Sequence, residues 1–228
     1  MKERIEVIRL PGFVPYVEGL RIQQARRDAV ERGEAPETLF LLEHAPVITL
    51  GRKWQPKNLL RTRAEYAAMG IDLCETDRGG DVTCHGPGQM VAYPILNLNA
   101  VASRAVGSRS RATVPRRKPS IPWYLRALEE VLIRQLALYG LRASRCKNLT
   151  GVWVGDAKIA AIGVRIHNWT TSHGIALNVS PDMAHFRLII PCGIADKPVT
   201  SLHALLGKGT PSMTAVMDDF ERAFQEIF

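Results

Sequence analysis

Gly151-Val-Trp-Val-Gly-Asp-Ala-Lys-Ile-Ala-Ala-Ile-Gly-Val-Arg-Ile166 is the stretch whose pattern decides the fold class. Two β-rich runs flank Gly155-Asp156, and that arrangement is a β-hairpin, because glycine tolerates the backbone a tight turn demands. The return strand opens with Lys158, a charge at the head of an otherwise apolar run. Further along, His173 to Val179 reads as another strand. About Pro211 to Phe228 reads as a helix, with Met213, Val216, Met217, Phe220, Phe224 and Ile227 at helical spacing as core residues. Upstream, Ser120-Ile121-Pro122 offers an N-cap and a first-turn proline for a helix to Tyr139 that stops at Gly140; Leu125, Leu128, Leu132 and Leu136 line one face of it. Toward the start, Ile5 to Leu10 is a strand and about Tyr16 to Glu31 a helix. Thr38 to Glu43 and Val47 to Leu50 are strands broken by His44-Ala45-Pro46, Arg63 to Met69 is a short helix stopped by Gly70, and Met90 to Leu96 is a buried strand. Strands and helices interleave without a repeat, so the expected architecture is α+β, with mixed β-sheets packed with helices in one domain spanning 1–228.

The 228 residues are 46% hydrophobic and 23% charged, enough apolar material for a sizeable core. That balance excludes a collagen-like, coiled-coil or disordered chain. The opening stretch from Met1 to Phe13 holds no apolar run of signal-peptide length, and no long apolar run suited to a membrane span follows it, so a cytoplasmic protein is expected. The net charge is +8, and Arg104, Arg109, Arg111, Arg116, Arg117 and Lys118 place six of those charges in the acid-free stretch Val101 to Ser120. A Ser/Arg/Pro-rich stretch without interleaved aromatics reads as a basic loop at about 101–120, not as a nucleic-acid groove. Such a loop would suit steering an acidic partner as well as it would suit binding phosphate.

Cys74, Cys84, Cys146 and Cys192 form no C-x-x-C pair, and a chain of this length needs no disulfide framework. Chemistry must come from local surroundings, and two constellations stand out. Arg78-Gly-Gly-Asp-Val-Thr-Cys-His-Gly-Pro-Gly-Gln89 packs glycines at 79, 80, 86 and 88 between two strands, which permits close backbone approach to a ligand or simply a complicated turn. It lacks the GK[ST] of a P-loop and the GxGxxG of a dinucleotide fold, so phosphate cradling is not supported. The other is Ile190-Pro-Cys-Gly-Ile194, where the Cys192 thiol sits between proline and glycine at the end of an apolar run. A free thiol has a pKa of about 8.5, so useful thiolate at neutral pH needs a cationic or basic neighbour. Lys158, His85 and His173 are the candidates. A lysine pressed against apolar neighbours loses hydration, which moves its pKa toward the range where it trades protons with a thiol.

At these residues the chain resembles the octanoyltransferases of lipoate biosynthesis. The resemblance covers most of the chain and rests on RGGDVTCHGPGQ at Arg78 to Gln89, GVWV with KIAAIGVRI at Gly151 to Ile166, HGIALNV at His173 to Val179, and PCGI with VTSL at Pro191 to Leu202. It implies a fold shared with biotin and lipoate protein ligases. It implies Cys192 as the nucleophile that forms an acyl-thioester and Lys158 as the residue that lowers its pKa and shuttles protons. Substrate contacts would fall on Arg78, Gly79, Gly80, Asp81, Val82, Thr83, Cys84 and His85, on Ala161, Ile162 and Gly163, and on Gly174, Ile175 and Ala176. The implied donor is octanoylated acyl carrier protein. The implied acceptors are lipoyl domains of 2-oxoacid dehydrogenase complexes and the glycine cleavage H protein, with no cofactor, metal, nucleic acid or membrane involved.

Two departures from the family pattern stand out. Position 84 is usually aromatic in the family and is Cys here, which puts a second thiol in the substrate motif. The basic stretch around Ser108 to Lys118 resembles an insertion where relatives have a shorter connection, and it bears on carrier docking. The implied chemistry exchanges one thioester for another and ends in an amide, so it needs no ATP. Two rival readings differ from it in what they require. An ATP-dependent lipoate or biotin ligase of the same fold would activate a free acid and need no nucleophilic cysteine. A nucleic-acid-binding module would depend on the basic loop and bind with strong salt dependence.

Overall fold

The strands Thr38–His44, Gln89–Ile95 and Thr170–Asn178 are buried along almost their whole length, which requires cover on both faces of their sheet. The computed structural model describes residues 5–105, 119–191 and 197–228. Among them the strands are β1 (Glu6–Val14), β2 (Thr38–His44), β3 (Val47–Leu50), β4 (Asp72–Glu75), β5 (Val82–His85), β6 (Gln89–Ile95), β7 (Ala143–Cys146), β8 (Leu149–Val154), β9 (Ala157–His167) and β10 (Thr170–Asn178). The α-helices are α1 (Tyr16–Glu31), α2 (Arg63–Ala68), α3 (Leu98–Ala105), α4 (Ile121–Leu138), α5 (Leu202–Leu206) and α6 (Met213–Ile227). Seven strands form one sheet in the order β1-β2-β6-β10-β9-β8-β7, and β4-β3-β5 form a small second sheet. In the large sheet β1 runs parallel to β2 and every other neighbouring pair is antiparallel. This is the expected α+β architecture. No helix among the described residues is long and apolar enough to cross a membrane.

Period-two alternation divides the large sheet's side chains between two cores. Leu39, Leu41, Met90, Ala92, Ile175 and Leu177 point toward α4 and α6, which contribute Leu128, Leu132, Phe220 and Phe224. Phe40, Leu42, Val91, Tyr93 and Ala176 point the other way, toward α1. A third cluster, with Ile48, Leu50, Val82 and Cys84, lies between the small sheet and Tyr66 of α2. Ser120 caps α4 as its sequence suggests, its Oγ accepting from the Trp123 N–H at 3.3 Å.

Three features differ from the sequence expectation. The glycine-rich stretch from Arg78 contains a true strand, β5, held by register against β3. β10 begins at Thr170 because Asn168 and Trp169 adopt positive φ (46° and 62°) and close a tight turn from β9. The stretch Val101 to Ser120, expected to be loop, begins as helix: Asn97 Oδ1 accepts from the N–H groups of Asn99 and Ala100 at 3.0 and 3.3 Å, and Leu98 and Val101 are buried. The remainder of the basic stretch, 106–118, lies outside the described residues.

Gly163 of β9 and Gly174 of β10 are paired, and both make room for backbone. A Cβ on Gly163 would stand 2.9 Å from the Gly79 carbonyl oxygen, and the Gly79 N–H donates to Val164 O at 3.0 Å. A Cβ on Gly174 would overlap the Ala92 carbonyl oxygen and stand 2.7 Å from Pro94 Cδ. Gly174→Ala is therefore expected to cost about 2–3 kcal/mol in urea unfolding. Gly209→Ala, where a Cβ meets nothing within 4 Å, should stay within about 0.5 kcal/mol of wild type.

Candidate active site

Alternation along β5 sends Val82 and Cys84 into the core of the small sheet and leaves Thr83 and His85 facing the large sheet. Between the two sheets lies a cavity with about 470 Å³ of empty space, counting its open mouth. Its roof is Arg78, Gly79, Gly80, Asp81, Thr83 and His85. Its floor is Ala161, Ile162 and Gly163 of β9 with His173, Gly174, Ile175 and Ala176 of β10. Val91 and Tyr93 of β6 and Tyr16 of α1 complete the walls. Three separate sequence motifs thus converge on one space, with the side chains of Val82 and Cys84 turned away from it.

The lining contains many polar groups, and most of their hydrogen-bonding capacity is spent inside the protein. Arg78 is buried and donates to Thr49 O at 2.7 Å, Thr49 Oγ1 at 2.8 Å, Asp81 O at 2.8 Å and Gly79 O at 3.1 Å. Asp81 accepts from Asn58 Nδ2 at 2.6 Å and from the Val82 N–H at 2.8 Å. His44 donates from Nδ1 to Val14 O and accepts at Nε2 from the Tyr93 hydroxyl, both at 2.7 Å. His85 Nδ1 donates to Gln89 Oε1 at 2.7 Å, and Gln89 Nε2 in turn donates to Asn178 Oδ1 at 2.8 Å. His173 has φ +57°, an uncommon conformation for a residue with a Cβ, and it is held from two sides. Its N–H donates to Gln23 Oε1, and its Nε2 donates to Asp77 Oδ1, each at 2.7 Å; Arg165 pairs with the other Asp77 oxygen. Burial is the main reason these imidazoles stay neutral. It lowers His44 to about 4 and, helped by neighbouring positive charge that includes Arg78, lowers His85 and His173 to about 3. The histidines are neutral and the Arg78 and Asp81 charges are met by internal partners, which leaves the chamber open to an apolar guest.

Lys158 lines a neighbouring cavity with about 290 Å³ of empty space, counting its open mouth, together with Gln89, Ala160, Asn178, Phe186, Pro191 and Val199. Thr83 and Ala161 line both cavities. Lys158 is only 8% exposed, and its Nζ lies 5.5 Å from the centre of the Trp153 ring. Its backbone is tied on both sides, the N–H donating to Pro198 O at 2.8 Å and the carbonyl accepting from the Thr200 N–H at 2.9 Å. The Ile190 N–H donates to Asn58 O at 2.9 Å, which fixes the approach to Pro191. Lys197 Nζ lies 5.8 Å from the same Trp153 ring. Cys192 follows Pro191 directly and lies outside the described residues. Of the three basic partners considered for that thiol, Lys158 is the one lining the cavity that Pro191 lines. His85 and His173 line the larger chamber instead.

Cys84 is 2% exposed, and burial pushes its thiol up to about 12, so it is an unreactive core residue at neutral pH. The sequence reading passed over several residues that build the site: Tyr16, Gln23, His44, Asp77, Tyr93 and Arg165. Asp77 immediately precedes Arg78, and His44 breaks two strands, but nothing in one sequence shows that Asp77 meets His173 of β10 or that His44 meets Tyr93 of β6.

The chain matches the lipoyl protein ligase A/B catalytic domain family over residues 15–225. It is 44% identical to the octanoyltransferase of Koribacter versatilis over 227 residues, which cover 98% of this chain and 84% of that protein. It is 45% identical to the octanoyltransferase of Solibacter usitatus over 221 residues, covering 97% of this chain and 92% of that one. In fold it is similar to a lipoate-protein ligase A bound with ATP, with a TM-score of 0.70 at 17% identity over 100% of this chain and 85% of the other. A bipartite lipoate protein ligase from Thermoplasma acidophilum gives a TM-score of 0.68, again at 17% identity, over 100% of this chain and 84% of that one.

The neutral histidines carry a pH signature. Each binds a proton in the unfolded chain below about pH 6.5 but stays neutral in the folded protein until about pH 4 or lower. Their stabilisation is complete above that unfolded pKa and is lost as pH falls toward the folded one. Urea unfolding should therefore show stability falling between pH 7 and pH 5 by roughly 1–2 kcal/mol per histidine. His173→Gln should flatten that dependence, and an unchanged slope would show that His173 titrates normally.

Proposed function

The chain belongs to the octanoyltransferases of the lipoyl protein ligase A/B catalytic domain family and is an acyltransferase; on that premise we propose that Cys192 carries the octanoyl group as a thioester. The donor in this reading is octanoylated acyl carrier protein in the cytoplasm. The acceptor is a lysine of a lipoyl domain, in 2-oxoacid dehydrogenase complexes or the glycine cleavage H protein. The supporting observation is adjacency: the larger chamber and the cavity lined by Lys158 and Pro191, one residue before Cys192, share Thr83 and Ala161 as lining residues.

In the first half-reaction Cys192 gives its proton to neutral Lys158, and the thiolate attacks the thioester carbonyl carbon. The tetrahedral oxyanion collapses, the carrier thiolate leaves and takes that proton back from Lys158, and the acyl group stays on Cys192. One thioester replaces another, so the step is close to thermoneutral. In the second half-reaction the acceptor lysine attacks the acyl-enzyme as a free amine, having lost a proton that costs most at its ordinary pKa of about 10.4. Lys158, in its neutral form, is the base assigned to take that proton. The amide forms as the nitrogen passes its remaining extra proton to the departing Cys192 sulfur, which leaves as the thiol, and the proton on Lys158 returns to solvent. The octanoyl chain occupies the larger chamber, where Val91, Ile162, Ile175 and Ala176 supply apolar contact.

Incubation with octanoyl carrier protein, without ATP, should add one octanoyl mass that hydroxylamine removes. The adduct is expected on wild type and on Cys84→Ser, to be absent from Cys192→Ala, and to form more slowly on Lys158→Ala. A hydroxylamine-stable adduct on Cys192→Ala, or lipoyl-domain modification that appears only with ATP and free acid, would overturn the thioester reading. The latter result would assign the chain ligase chemistry.

A further inference from the structure

Glu129 of α4 has a side chain only 1% exposed. A carboxylate buried this deeply is costly unless fully bonded, so where its bonds go is informative. Oε2 accepts from Arg126 at 2.5 Å and from Arg145 Nε at 3.1 Å, and both arginines reach solvent, with side chains 49% and 34% exposed. Oε1 points elsewhere and accepts from the backbone N–H of Gly151 at 3.2 Å.

Gly151 lies one residue beyond the last β8–β9 pair, Val152 with Ala160; the register shifts between Val152 and Trp153, which pairs with Lys158. Its φ is +125°, and a Cβ there would stand 2.6 Å from Lys158 Cε, 2.6 Å from Ala160 O and 3.4 Å from Lys158 Nζ. The aliphatic stem of Lys158 therefore lies directly on the Gly151 Cα. The strand segment that seats Lys158 is held by a carboxylate reaching out of a helix.

We propose that Glu129 is a positioning residue for the transfer reaction: by anchoring the Gly151 amide it fixes the surface against which Lys158 lies, and so the place of the Lys158 ammonium. This rests on the role assigned to Lys158 above. The critical property is the reach of the Glu129 side chain, since an uncharged oxygen at the same place can accept the same hydrogen bond. When the charge is removed Arg126 can turn to water, and Arg145 keeps its pairing with Glu130 at 2.8 Å.

Two conservative variants separate reach from charge. Glu129→Gln keeps the length and loses the charge, while Glu129→Asp keeps the charge and withdraws the oxygens by about 1.5 Å. Single-turnover formation of the acyl-enzyme from octanoyl carrier protein is followed by intact mass, in wild-type and Lys158→Ala backgrounds. Glu129→Gln should stay within about threefold of wild type, and Glu129→Asp should be slower by roughly tenfold to a hundredfold at unchanged half-saturating donor. In the Lys158→Ala background both substitutions should have almost no further effect, because the group they position is gone. Amide exchange at Gly151, which needs no turnover, should speed up in Glu129→Asp and not in Glu129→Gln.

The inference is overturned if Glu129→Gln is the slower of the two, which would make the ion pair the functional element. It is also overturned if Glu129→Asp slows the reaction equally with and without Lys158, which would make its effect one of general packing. A wild-type rate in Lys158→Ala alone would remove the Lys158 assignment itself, and that outcome is recognised without any Glu129 variant.

Discussion

The buried guanidinium of Arg78 is the interaction on which the rest of the site depends. Its bonds to Thr49 of β3 and to the Gly79 and Asp81 carbonyls fold the glycine-rich segment back over the small sheet. The neighbouring loop reinforces this, with Gly51, Arg52 and Lys53 N–H groups donating to Asp81, Arg78 and Gly80 carbonyls. A planar fork of donors suits such a task, because several acceptors are met with little loss of side-chain freedom. Once closed, the segment presses Gly79 onto β9, and the space left between the two sheets is the chamber.

The same charge shapes the chamber's electrostatics. A cation that is buried but surrounded by oxygen acceptors adds to burial in disfavouring protonated His85 and His173. The walls are chemically polar yet carry no titrating imidazole near neutral pH. Lys158 lies outside this group, in the adjoining cavity, against the Trp153 ring. The protein thus separates a chamber without a titrating imidazole from the smaller cavity that Lys158 lines, and Thr83 and Ala161 line both.

Much of this was legible in the sequence where local rules govern. The turn at Gly155-Asp156, the Ser120 cap and the amphipathic α6 follow from short-range chemistry and stand in the structure. The grouping of Arg78 to His85 with Ala161 to Gly163 and Gly174 to Ala176 came from family resemblance, and the three segments do line one space. What the sequence withheld depends on tertiary context. Density of glycine hid strand β5, because its partner β3 lies more than thirty positions away. The glycines at 79, 163 and 174 look like openings for a ligand, yet they admit neighbouring main chain. Val82 and Cys84 belong to the same motif as Thr83 and His85, but strand alternation divides the four between a core and a cavity. Glu129 sits in a helix as an unremarked acid, and its importance comes only from what Gly151 supports.

The floor of the chamber has a consequence for how this enzyme class can diverge. At Gly163 and Gly174 the boundary is main chain packed on main chain, and main chain has no rotamers to exchange and no atoms to trim. On the proposed placement of the acyl chain in this chamber, its length cannot be retuned there by successive small steps, since the first step already collides with a carbonyl. The adjustable positions are those that project side chains into the space, such as Ala161, Ile162 and Ala176. Variation in guest size is therefore channelled into a few hydrophobic positions, while the paired glycines act as a fixed gauge shared by every variant that still folds.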